Sequence, residues 1–317
     1  MASGPTSTGF RSRTDDDRIP SSFQRRVHWI FLGPSGIRTG WRILNSVWLW
    51  IVIATALTLA LVAFPAVRSW VPTQNLRVVT PTLLFFSEGI GAIAAILSAL
   101  VLARFEKRSL ADYGLPFVRA SGKYLGQGLL VGFAMVSALM GLIAAMSGFS
   151  PGALAIGGSE AWRSGLLYAL GFMMLAVFEE FSFRGYFQAT LASAIGFWPA
   201  AALLSFGFGG IHIGNPGETI AGVSAAVAFG LLAAFSLRRT GGIWLAIGMH
   251  AAWDWGQTYF YSVPDSGMQA TGHLLNSSFH GPNWLTGGSA GPEGSVFVFA
   301  VLALTAAAIH YVYPAKR

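Results

Sequence analysis

Glu179 and Glu180 stand side by side at the end of an apolar run from Leu166 to Phe178, and Arg184 follows four residues after Glu180. A charged side chain at the centre of a bilayer costs about 2.5–3.5 kcal/mol on insertion scales. Carboxylates kept in such a place mark either a reactive site or an ion pair at a membrane edge. On a helix, Glu180 and Arg184 share a face and can pair. Glu179 is turned about 100° from Glu180 by the 3.6-residue repeat. The economical division holds Glu180 on Arg184 and leaves Glu179 facing a cavity, where a carboxylate can serve as a general base.

Two further groups have the same character. Phe208-Gly209-Gly210-Ile211-His212 puts Phe208 and His212 on one helical face, with glycines between them that let another backbone or a substrate come close. His250-Ala251-Ala252-Trp253-Asp254 places a histidine and an acid four apart. Asp254 can orient His250, accept its ring N–H, or stand beside it as another polar group. The plain structural alternatives are a satisfied core histidine and a self-satisfied His–Asp pair.

The elements that must position these groups are apolar helices. The chain has 317 residues, 54% hydrophobic and 10% charged, where a soluble domain carries about 25% charged residues. Mean hydropathy is +0.57. Apolar runs of about 20 residues span a bilayer as helix. Eight such segments are expected, at about 43–66, 81–103, 125–147, 162–183, 197–215, 219–237, 242–262 and 295–313. The fold class expected is all-α: a polytopic membrane bundle of about eight transmembrane helices, without sheet. Residues 1–41, with the acidic run Asp15-Asp16-Asp17, read as a flexible basic tail carrying an interfacial patch from Phe23 to Leu32. Residues 42–317 are the membrane domain. No cleavable signal peptide is expected, since the first apolar run begins near Ile43.

Basic residues set the orientation. With the N-terminus cytoplasmic, all of the 20 Lys and Arg residues except Arg68, Arg77 and Arg163 fall on the inner side. Both termini are then cytoplasmic, in a cell membrane. The net charge of +7 is accounted for by topology and anionic lipid, not nucleic acid. The absence of cysteine excludes disulfides, thiolate metal sites and a cysteine nucleophile. The outer loop Val263–Gly294 has no Lys or Arg and is expected to be mobile. In this frame Glu179 lies about 6 Å from the inner surface and His250 about 12 Å. His212 lies about 22 Å deep, or about 16 Å if Tyr186–Pro199 lies along the surface. The cytoplasm-facing placement favours a substrate reached from that side.

E-E-x-x-x-R, F-x-x-x-H and H-x-x-x-D, in this order across hydrophobic segments, resemble the CAAX prenyl protease and bacteriocin-processing (CPBP, or Abi) family of intramembrane endopeptidases. The resemblance covers about residues 110–262, and Arg108–Leu115 resembles the basic–Tyr–Gly–Leu stretch that often precedes that domain. It implies that Glu179 with His212 activates water, and that His250, aided by Asp254, faces the developing oxyanion. Glu180, Arg184 and Phe208 support them. The family has Asn or Asp at the last position, and an ionised Asp cannot donate a hydrogen bond as Asn can. Family members are described both as metalloproteases and as glutamate-dependent without metal. The metal-free form is preferred here because the H-E-x-x-H spacing is absent. The alternative is zinc held by Glu179, His212 and His250. The substrate implied is a membrane-associated peptide or protein, prenylated at a CAAX-type C-terminus or carrying a leader peptide. Competing functions are a proton- or cation-coupled transporter, for which Glu88 in the second segment speaks, and a non-catalytic membrane scaffold or immunity protein.

Overall fold

The computed structural model describes residues 30–33, 36–68 and 78–314. The tail readings for residues 1–29, and Arg77, Lys316 and Arg317, lie outside the described residues. Among the described residues the longer helices are α1 Thr39–Val62, α2 Pro81–Glu106, α3 Arg119–Ala145, α4 Gly158–Ile195, α5 Phe197–His212, α6 Ile220–Thr240, α7 Trp244–Trp255 and α8 Phe297–Val312. Of these, α1, α2, α3, α4 and α6 are long and apolar enough to cross a membrane. α5 and α8 have 16 residues each and α7 has 12. A π-helical turn, Gly256–Phe260, lengthens α7.

Local chemistry accounts for several ends. The Thr80 hydroxyl accepts the Leu83 N–H at 3.1 Å ahead of Pro81, and Lys107 closes α2 in the left-handed conformation. Thr219 caps α6 in the same way and Gly241, at φ 78°, ends it. The fourth segment does not stop near residue 183. A π-helical stretch, Phe181–Phe187, bends at Gly185 and the helix resumes to Ile195. The fifth stops at His212, before residue 215, where a turn from Asn215 N–H to His212 C=O takes over.

α7 is the axis of the bundle. Every residue from Leu245 to Asp254 is buried. α3 packs along it through a glycine seam: a Cβ on Gly132 would lie 2.7 Å from the Met249 Cα, and one on Gly128 would lie 2.9 Å from the Gly248 Cα. Backbones approach this closely only where side chains are absent, and in a membrane such van der Waals contact is what holds helices together. α1 is peripheral, with Ser46 its only buried residue.

One end of the bundle carries Arg104, Lys107, Arg108, Arg119 and Lys123 around the α2–α3 connection, and Arg238 and Arg239 where α6 ends. It is clamped at Glu106. Arg42 pairs with both of its oxygens, Tyr113 donates to it at 2.6 Å and Tyr186 at 2.8 Å. The opposite end holds the long connections, and there the expectation of no sheet fails in a limited way. Val78–Val79 pairs in parallel with Gln269–Ala270, and Phe149–Ser150 pairs antiparallel with Ser278–Phe279. Leu32–Gly33 pairs with Gly36–Ile37 elsewhere. These two-residue ladders satisfy loop backbone that water would otherwise solvate. They also give residues 263–294 a path against the bundle, with Leu285, Thr286 and Ala290 buried.

Candidate active site

Glu180 is the buried anchor of the site. Its carboxylate, fully excluded from solvent, accepts from Arg184 Nη1 at 3.3 Å and from His250 Nδ1 at 2.9 Å. Arg184 is itself buried and lies over the Phe208 ring, with its Cζ 4.2 Å from the centroid. A Cβ on Gly230 would stand 2.6 Å from Arg184 Nη2. A glycine on α6 is therefore what gives the guanidinium its room. The π-helical turn after Glu180 supplies the local geometry. It inserts an extra residue per turn, a device common at functional sites.

His250 turns its other nitrogen outward. Nε2 is 3.5 Å from Asp254 Oδ2 and 3.7 Å from Glu179 Oε2. Both are long for a hydrogen bond, so neither acid saturates this nitrogen. Phe208 and Phe229 stand edge-on to the ring, with centroids at 6.1 and 5.1 Å. His212, on the last turn of α5, gives Nδ1–H to the Phe208 carbonyl at 2.7 Å. A carbonyl can only accept, which leaves the His212 Nε2 with its lone pair.

Glu179, His212, His250 and Asp254 line one cavity of about 320 Å³. The depth mismatch anticipated for His212 resolves through α4, which continues beyond the site, so Glu179 lies mid-helix and not near its inner end. The cavity also holds groups that the motifs did not indicate. Asp265 accepts from Thr258 at 2.8 Å, and Glu293 accepts the Ser266 N–H. Burial pushes the Asp265 carboxyl up to about 6, with the Thr258 hydrogen bond opposing. Burial, with Asp265 nearby, holds Glu293 well above its ordinary range. Their sequence signal was faint: they are the only acids in a loop without Lys or Arg. Glu88 lines the same cavity, its carboxylate taking the Ser87 hydroxyl at 2.7 Å.

Among the described residues, no three His, Cys, Asp or Glu side chains are gathered closely enough to hold one ion. His212 and His250 each give Nδ1–H to a protein acceptor, which leaves Nε2 as the nitrogen on the cavity side, an orientation that serves a metal-ligating histidine as well as a proton acceptor.

Residues 161–256 match the family model of type II CAAX prenyl endopeptidase Rce1-like proteins. The chain carries an Rce1-like domain. This bears out the resemblance drawn from the three motifs, since Glu179, Glu180, Arg184, Phe208, His212, His250 and Asp254 all fall within the matched residues. No curated protein matches the chain. The Rce1-like domain includes the cavity's inner end and leaves out Glu88, Asp265 and Glu293, which close its outer walls.

The cavity runs away from the basic end. Its walls beyond the helices are Val79, Asp265, Ser266, Met268 and Glu293, all from the end that carries the long connections.

Proposed function

We propose that the protein is an intramembrane endopeptidase of about eight spans, with both termini cytoplasmic, acting on a membrane-associated peptide or protein. The observation that carries this is the shared cavity. It presents an unsaturated carboxylate, Glu179, and an imidazole with a free lone pair, His212, in front of a histidine anchored from behind by Glu180.

In this reading Glu179, with His212, takes a proton from water. The hydroxide adds to the scissile carbonyl carbon, and the carbonyl becomes a tetrahedral oxyanion. His250 faces that oxygen. With Nδ1–H given to Glu180, it donates from Nε2 only as an imidazolium, and the carboxylates of Glu179, Glu180 and Asp254 around it supply the balancing charge. A preorganised donor of this kind contributes about 2.7–4 kcal/mol to such a transition state. Collapse breaks the C–N bond, and the proton held at Glu179 passes to the leaving amine. Asp254 orients His250. Arg184 positions Glu180, and Phe208 stands edge-on to the His250 ring on the cavity wall. The prenylated or leader-peptide nature of the substrate is a narrower reading that rests on the family alone.

The test is hydrolysis of membrane-tethered reporter peptides by purified protein in lipid, comparing the natural chain with Glu179→Gln. The transporter reading draws on Glu88, which shares the cavity. Against it, the cavity's inner end is closed by buried Glu180, Arg184, Phe181 and Ile247. Ion flux lost in Glu88→Gln with hydrolysis absent throughout would favour transport. Binding of a membrane partner with neither activity would favour a scaffold.

A further inference from the structure

Glu88 is the acid that the three motifs leave unexplained, and its place follows from how α2 lies on α4. A Cβ on Gly171 would meet the Leu84 side chain at 2.8 Å, one on Gly89 would meet the Met174 sulfur at 3.3 Å, and one on Gly91 would meet the Phe178 ring at 3.1 Å. Residue numbers rise together along this seam, so the two helices run parallel and Glu88 stands level with Leu175. The cavity takes Leu84 and Glu88 from one face of α2, and Phe172, Leu175 and Glu179 from one face of α4. Glu88 and Glu179 therefore look into the same space, offset by one helical turn, about 6 Å along the bundle.

Glu88 has no cation beside it. The ion pairs among the described residues join Arg42 to Glu106, Arg184 to Glu180, and His250 to Glu179, Glu180 and Asp254. The hydroxyl that reaches Glu88, from Ser87 at 2.7 Å, also lies 2.8 Å from the Leu83 carbonyl. A hydroxyl has one proton to give, so Glu88 and Leu83 compete for it. Asp265 and Glu293, the acids of the cavity's loop wall, are better served by Thr258 and by the Ser266 N–H. No Lys or Arg lines the cavity. An acid kept in an apolar helix without a counter-charge is costly and is retained for use. A positive charge entering the cavity offsets that cost, and a negative one adds to it.

We propose that Glu88 is a specificity-determining residue that receives a positive charge of the substrate, the ammonium of a lysine or the guanidinium of an arginine. An extended peptide advances about 3.3 Å per residue. An offset of about 6 Å from Glu179 then sets the charged residue about two positions from the scissile carbonyl. Its relation to a scissile bond rests on the endopeptidase reading, whereas the cation site does not. This narrows the substrate to membrane-associated chains with a basic residue close to the cleavage point.

The test uses membrane-tethered reporter peptides with Lys, Gln or Glu placed in turn at successive positions around the bond, given to the purified full chain in lipid. Binding of the same peptides is measured on Glu179→Gln, where no turnover is needed. At one position Lys should be preferred to Glu by about tenfold or more in kcat/KM, carried mainly by KM. Glu88→Gln should bring that ratio close to one, and Glu88→Lys should invert it. Hydrolysis without preference for Lys at any position, or with a preference unchanged in Glu88→Gln, would overturn the proposal and leave the endopeptidase reading standing. Lys-selective binding to Glu179→Gln that is lost in Glu88→Gln/Glu179→Gln, with no hydrolysis by the natural chain, would overturn that reading and support the cation site. Absence of both hydrolysis and selective binding would overturn both. Glu88→Gln keeps the size of the side chain, so it decides the matter even where Glu88→Lys fails to fold.

Discussion

Among the described residues, Glu106 and Glu180 each pair with an arginine, and they are treated in opposite ways. Glu106 receives Arg42 on both oxygens and the hydroxyls of Tyr113 and Tyr186. Every direction in which it could accept is used, and it ties α1, α2, the α2–α3 connection and the bent part of α4 into one end of the fold. Glu180 receives Arg184 and His250, and through His250 it organises a second acid, Glu179, whose nearest charged contact is 3.7 Å away. A saturated carboxylate is a clamp. One held near a cation but left short of donors retains a lone pair for a proton.

The comparison is most exposed at Glu179. Glu179→Gln should lower hydrolysis about 10²–10⁴-fold, the range for a positioned general base, with little change in thermal unfolding. Glu106→Gln should do the reverse. If both variants lose activity equally, the clamp and the site are one unit and the distinction fails.

Glu180 lies between these extremes. Glu180→Gln leaves a buried guanidinium without its partner, at a cost of about 3–5 kcal/mol. It also releases the His250 ring. Unfolding of the purified protein should show the loss. The double variant Glu180→Gln/Arg184→Gln should recover part of the stability and none of the activity. Recovery of both would make Glu180 a structural ion pair and nothing more. For Glu106→Gln itself, the loss of charge-assisted hydrogen bonds predicts about 1.5–3 kcal/mol, read as a lower unfolding temperature.

The smallest effect is at the cavity wall. Asp265, raised to about 6 from an ordinary 3.8, is held by Thr258 and faces Glu293, with His212 and His250 further in. Because folding raises its pKa, its protonated form favours the fold. That contribution is complete below about pH 4 and is lost as pH rises through 6. Asp265→Asn, which keeps an acceptor for Thr258, should therefore stabilise at pH 7.5 by up to about 3 kcal/mol and change little at pH 4. Equal shifts at both pH values would show that its ionisation is not linked to folding.

Relations within one helix were legible in the sequence. Glu180 with Arg184, and His250 with Asp254, are four apart, and the structure holds them at 3.3 and 3.5 Å. Apolar run length located the helices for the same reason, since each signal repeats with the helical period. The end of the fourth segment was misjudged because a π-helical turn at Phe181–Phe187 leaves no such period to follow. The Arg108–Leu115 stretch was recognised as characteristic, but its work was not. Tyr113 reaches Glu106, and the Gly114 carbonyl accepts the Ile243 N–H at 2.8 Å.

What the amino-acid sequence determined by itself is a set of apolar helices, their charge asymmetry and the polar residues that could react. Tertiary structure decided which of those residues meet. Glu180 and His250 are 70 residues apart, and Arg42 and Glu106 are 64 apart. Such pairings depend on the rotation and axial shift of one helix against another. Those are set by close-packed seams such as Gly128 and Gly132 on Gly248 and Met249, which no local pattern encodes. The extension of the cavity toward the end away from the basic residues is decided at the same level. It is the sum of how all the helices pack, and no single segment contains it.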